Sequence, residues 1–144
     1  MRQWFQMPVA AHLLLRRDAE ILLLRRDGTG YEDGKYSVVA GHLDGAEPAS
    51  AAMIREAREE AGIVIRPEDL AFALVMHRKA PDQERIDFFY ECRSWEGDVR
   101  NMEPEKCDAL HFVPADTLPE NTIPYVKAAI AAAQAGIKYV EFGW

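Results

Sequence analysis

Glu56, Glu59 and Glu60 stand at i, i+3 and i+4 in the run IREAREEAGI. On an α-helix this spacing puts three carboxylates on one face. Left uncompensated, like charges at i,i+4 cost a helix roughly 0.2–0.5 kcal/mol per pair. A hard divalent cation removes that repulsion and turns the cluster into a binding site. Mg²⁺ is held by one or two carboxylates, several waters and substrate phosphates, so the pattern points to phosphate chemistry. Such an ion neutralises charge on phosphoryl oxygens and lowers the pKa of a bound water, whose proton a neighbouring carboxylate can take. Phosphoryl transfer asks for little more than positioning and electrostatic stabilisation. A glutamate-rich helix taken alone is usually only a solvated face. The weight therefore falls on the residues around it, where Asp44 and Glu47 extend the acidic run toward the helix start.

Those residues are specific. Gly41, Glu47, Arg55, Glu56, Glu59, Glu60, Gly62 and Ile63 follow the spacing Gly-x5-Glu-x7-Arg-Glu-aliphatic-x-Glu-Glu-x-Gly-aliphatic, with Ala57 in the first aliphatic slot. Through them the chain resembles the Nudix hydrolase family of MutT type. Members often read Gly-Gly, preceded by Pro, where this chain has Val39-Ala40-Gly41, so a different entry turn is expected.

The resemblance implies an α+β fold, an α/β/α sandwich with a mixed central sheet and two main helices. It implies a metal-dependent pyrophosphohydrolase, served by Mg²⁺ or Mn²⁺, in which water attacks a phosphorus of a nucleoside di- or triphosphate or another nucleoside diphosphate derivative. Glu59 and Glu60 fall on the principal metal ligands, joined by the carbonyl of Gly41. Glu56 falls on a further ligand or the general base, both arrangements being used in the family. Arg55 falls on the residue that orients a signature carboxylate through its fork of donors. Glu56, Glu59 and Arg55 thus form the expected catalytic set. Glu47 is expected to bind or orient around the loop and helix start, where an acid also suits the macrodipole.

Several relatives add a carboxylate from a loop before a late strand. Here that loop runs from Arg100 to Asp108, with Glu103 the first choice of metal ligand, Glu105 the second, and Lys106 able to meet a phosphate. His42 is the only histidine near the signature, and it stays open between a structural and a substrate-binding role. His12, in an apolar strand, and His77, near a strand end, read as structural. Trp4, Phe5, Phe72, Phe88, Phe89 and Trp95 read as core or hairpin packing rather than as a base-stacking platform.

Position 77 is His where ADP-ribose hydrolases often carry Pro, and no SQPWPFPxS run of the NADH type is present. This leaves a small (deoxy)nucleoside di- or triphosphate as the favoured substrate. The competing reading is a non-catalytic Nudix-like module that binds or senses a nucleotide, but degenerate members usually lose signature glutamates and this chain keeps them. The expected partner is a small nucleotide. A homodimer would suit the family, in which dimers are common.

Composition bounds the rest. The 144 residues fit one domain, 1–144, and 49% of them are apolar, enough for a core. A net charge of −7 argues against a nonspecific nucleic-acid binder, which needs a basic face. Cys92 and Cys107 lack CxxC or histidine spacing and read as free thiols in a reducing cytosol. The N-terminal apolar stretch is interrupted by His12 and closed by Arg16-Arg17, and no run approaches the roughly 18 apolar residues that span a membrane. A soluble, cytoplasmic protein without a membrane or nucleic-acid polymer as partner is expected.

The elements that must position the carboxylates follow from pattern. LLLRRD occurs at Leu13–Asp18 and again at Leu22–Asp27, which predicts one hairpin turning at Asp18-Ala19-Glu20. A short strand, Tyr36–Val39, leads into the signature loop. A helix is expected with Pro48 in its first turn, ending near Ala61, with Gly62 as its left-handed stop and Ala49, Ala52, Met53, Ala57 and Ala61 on its buried side. Strands are expected at Leu70–His77, Ile86–Cys92, Leu110–Val113 and Lys138–Phe142, and a second helix at Pro124–Gln134.

Overall fold

The computed structural model describes residues 1–144. The repeated LLLRRD forms strands β1 (Val9–Arg17) and β2 (Glu20–Arg26), turning through Asp18, whose φ is 55°. Only Arg16↔Ile21 and Arg17↔Glu20 pair across the hairpin; beyond them the strands part. β2 pairs with β3 (Tyr36–Ser37) and with β7 (Cys107–Pro114), both antiparallel. β1 instead pairs antiparallel with β4 (Ala40–His42) and parallel with β6 (Glu84–Cys92). β5 (Leu70–Lys79) and β8 (Tyr139–Phe142) complete the mixed sheet in the order β3-β2-β1-β6-β5-β8.

The leucine runs are apolar on both sides because both faces of the sheet are covered. Leu13, Leu15, Leu22 and Leu24 belong to one core with Met53, Ala57 and Ala61. Leu14, Ile21 and Leu23 belong to the other, with Val126, Ala129 and Ile130. The first core lies under helix α1 (Ala49–Ala61) and the second under α2 (Pro124–Gln134), which makes the α/β/α sandwich.

Small residues set how closely α1 lies on the sheet. Ala52, Ala57 and Ala61 are fully buried, and Met53 fills the space between them. Full burial of a side chain such as Met53 stabilises by about 1.5–3 kcal/mol. Pro48, expected in the first turn, lies just outside it. It is the N-cap, extended at φ −64° and ψ 154°. Gly62, at φ 70°, ends the helix with its N–H on the carbonyl of Arg58 at 3.1 Å.

Other boundaries also shift. The strand expected over Tyr36–Val39 stops at Ser37, because the chain crosses from β2 to β1 and re-enters the sheet at Ala40. The strand expected at Leu110–Val113 is longer, since the whole length of β2 pairs with it. Trp4 and Phe5, read as packing residues, are exposed in the segment before β1, whereas Phe89 is fully buried. No helix is long and apolar enough to cross a membrane.

Candidate active site

β4 brings the chain back to β1 beside α1, where a side chain at Gly41 would have to displace that of Glu56. A Cβ there would overlap the carboxyl group of Glu56. Glycine at this position is thus a space requirement, not a turn requirement. The carboxyl of Glu60 lies beside that of Glu56 and near the backbone N–H of Ala40. Its pKa is pushed from 4.5 up to about 10, chiefly by burial, then by the neighbouring Glu56 and by the charge of Glu103. The N–H of Ala40 opposes the shift but does not offset it. The site therefore concentrates more acid than its own donors can balance.

Arg55 holds the outer side of the cluster. Its Nε and Nη2 donate to Glu47 at 3.1 and 2.7 Å, and its Nη1 donates to Glu56 at 3.0 Å. The same Nη1 reaches Glu59 at 3.4 Å, the i,i+4 neighbour. One guanidinium thus ties the loop before the helix to two signature glutamates, and its pKa is raised, first by the Glu47 hydrogen bond. The triad divides as a result: Glu59 is exposed and held by Arg55, while Glu60 is half-buried against Glu56. In this arrangement no three His, Cys, Asp or Glu side chains form a ready ligand set.

The loop between β6 and β7 reaches the helix through backbone bonds. Arg100 N–H donates to the carbonyl of Ala61 at 2.9 Å, and Met102 N–H to that of Glu60 at 3.2 Å. These carbonyls belong to the last turn of α1 and lack partners within the helix. Asn101 stiffens the loop, donating from Nδ2 to the Cys107 carbonyl at 2.6 Å and accepting from Glu103 N–H at 3.1 Å. Glu103 is thereby placed where its charge acts on Glu60. Glu105 is exposed, and its carbonyl packs where a Cβ on Gly28 would sit. The Nζ of Lys106 lies 3.8 Å from Glu103. The helix-capping role of Arg100 and Met102 uses backbone alone, so no residue type announced it.

His42 follows Gly41 on β4 and projects to the opposite face, where Arg85 Nη1 donates to its Nε2 at 3.3 Å. On that face His12 is buried, stacks on Phe89 at 4.6 Å between ring centres, and meets the Tyr125 hydroxyl at 3.2 Å. Burial lowers its pKa to about 4, although Asp87 pulls the other way. Arg78 Nε donates to Asp87 at 2.7 Å beneath it. This polar group under α2 escaped sequence reading, because its members come from four separate elements. His77 pairs with Glu84 at 3.0 Å, away from the carboxylates.

A family model described as the NUDIX domain matches residues 6–133. A solved MutT NUDIX hydrolase from Burkholderia pseudomallei is 26% identical, with a TM-score of 0.80 over 88% of this chain and 98% of that one. A NUDIX hydrolase from Nitrosomonas europaea is 20% identical at a TM-score of 0.76, covering 93% of both chains. A MutT protein from Methanosarcina mazei Go1 is 19% identical at a TM-score of 0.75, over 89% of this chain and 93% of that one. The last two resemblances speak to the fold alone. No curated protein matches the chain significantly.

Proposed function

Since this chain belongs to the NUDIX domain family, we propose that its single domain, residues 1–144, hydrolyses the diphosphate bond of a small (deoxy)nucleoside di- or triphosphate with the help of Mg²⁺ or Mn²⁺. It is a MutT-type hydrolase acting on phosphorus-containing acid anhydrides. The observation that supports the metal is the state of Glu60. Its carboxyl is pressed against Glu56 and within the field of Glu103, with burial opposing ionisation. Carboxyl groups crowded together with few donors of their own fit a hard cation.

Glu56, Glu59, Glu60, Glu103 and the carbonyl of Gly41 are the groups we assign to the ion. When bound, the ion supplies charge neutralisation at the phosphoryl oxygens and a more acidic water. Glu59 is the exposed member and is free to turn from Arg55 toward the phosphates. Glu56 is fixed by Arg55 on one side and by the backbone of Gly41 on the other, so its carboxylate has a defined direction for accepting a proton. Arg55 and Glu47 act as positioning residues that lock the signature loop to the helix. Lys106 and His42 are assigned to the substrate. Cys92 and Cys107 are free and buried, which suits a reducing compartment, and we place the protein in the cytoplasm.

The test is a phosphate- and pyrophosphate-release screen over a nucleotide panel, with Mg²⁺, with Mn²⁺ and with EDTA. Metal-dependent turnover of a nucleoside di- or triphosphate is expected. Nucleotide binding without turnover under every metal condition would show a binding module instead.

A further inference from the structure

Arg85 carries an unneutralised charge where the fold does not need one. It stands directly across from Arg78 in the β5–β6 ladder. Like charges directly opposite on a sheet are destabilising. Arg78 is relieved by Asp87, which accepts from its Nε at 2.7 Å, and its guanidinium lies 3.6 Å over the ring of Tyr125. Arg85 has no such relief. Its Nε is buried without a hydrogen-bond partner, and its Nη1 meets only the Nε2 of His42 at 3.3 Å.

The position of that charge is informative. Gly41 and His42 are consecutive on β4: the first abuts Glu56 on the α1 face, and the second meets Arg85 on the other. β4 pairs only with β1, so no strand adds to its other edge. A ligand passing along that edge meets clustered carboxylates on one side and a guanidinium with free donors on the other. Anionic oxygens are what the exposed outer nitrogens of a guanidinium without an acidic partner take up.

We infer that Arg85, held by His42, binds the phosphate chain of the nucleotide on the side of β4 away from the glutamates, and so selects substrates by their phosphate chain. This rests on the nucleotide hydrolase reading above. It adds a residue outside the signature that fixes the chain while the carboxylates act on it. An arginine fork recognises phosphate oxygens by paired donors, which a lysine point charge reproduces only in part.

The test uses the intact protein in EDTA, with ATP, CTP, GTP, UTP, the matching nucleosides and inorganic tripolyphosphate as probes in calorimetry. Arg85→Gln should weaken triphosphate and tripolyphosphate binding by about tenfold or more, the loss expected for one charged hydrogen-bonding group. Nucleoside binding should not change, and Arg85→Lys should recover part of the loss. The melting temperature of Arg85→Gln should hold or rise, because the mutation removes repulsion with Arg78. Unchanged triphosphate binding, an equal loss for nucleosides, or a fall in melting temperature that accounts for the loss would overturn the inference. The two readings fail separately. Arg85-dependent binding with no turnover of any nucleotide would remove the hydrolase reading and leave the anion site. Metal-dependent turnover that Arg85→Gln leaves untouched would do the reverse.

Discussion

The carboxyl group of Glu56 occupies the space a side chain at Gly41 would take. The glycine that opens the signature and the glutamate on its helix are therefore one packing unit. Gly41→Ala should displace Glu56 from Arg55 and from Glu60 together. We expect kcat to fall by about 10²-fold, the scale for losing a general base or charge-stabilising group. Circular dichroism should show a folded protein, because the displaced group lies at the surface of the site. Wild-type kinetics for Gly41→Ala would mean that the position of Glu56 is not used in catalysis.

Glu60 makes stability depend on pH in a definite direction. Its ordinary pKa is 4.5, and in the folded, metal-free protein it is raised to about 10. Between these values the folded state holds a proton that the unfolded state has lost. Stability of the metal-free protein should fall as pH rises through that window. Melting curves in EDTA should show the slope, added Mg²⁺ should flatten it, and Glu60→Gln should abolish it while cutting kcat by about 10²-fold. A metal-free melting temperature that rises with pH across the window would contradict the placement of Glu60.

Arg55 joins Glu47, Glu56 and Glu59 through one guanidinium. Arg55→Lys keeps the charge but loses the fork, so it should not restore function. We expect both Arg55→Ala and Arg55→Lys to lower kcat by about tenfold or more, with Lys closer to Ala than to wild type. Steady-state kinetics decides this, and full activity in Arg55→Lys would leave only a charge effect.

Glu103 and Glu105 share a loop and a charge, but the loop's backbone bonds to Glu60 and Ala61 bring only Glu103 to bear on Glu60. Glu103→Gln should lower kcat or raise the Mg²⁺ concentration needed for half-maximal rate, while Glu105→Gln leaves both unchanged. Identical metal titrations for the two variants would assign the site to the helix alone.

Ala46, just before Glu47, has φ 65°, a conformation that an alanine adopts only at a cost. Ala46→Gly should raise stability by roughly 0.5–1 kcal/mol, less whatever unfolded-chain entropy the glycine adds. Chemical denaturation will show it. A loss of stability would mean that the loop does not hold this angle in solution.

Much of this protein was legible in one dimension because its chemistry is local. The spacing of Gly41, Arg55, Glu56, Glu59, Glu60 and Gly62 lies on one loop and one helix, and helical periodicity converts it directly into geometry. The doubled LLLRRD announced a hairpin for the same reason. What needed the tertiary structure were relations between distant segments. Sequence could not show that the hairpin separates after Arg16, since nothing in the leucines records which partner each strand will take. It could name Glu103 but not place it, because the placement is made by backbone N–H groups of Arg100 and Met102, which every residue type except proline carries. It could not separate Glu59 from Glu60, whose environments differ through packing rather than spacing. Nor could it find Arg85, whose charge is distinctive only because Arg78 opposite has Asp87 and Arg85 has none. Local periodicity fixes which groups share an element; burial and unmet charge exist only once the elements have met.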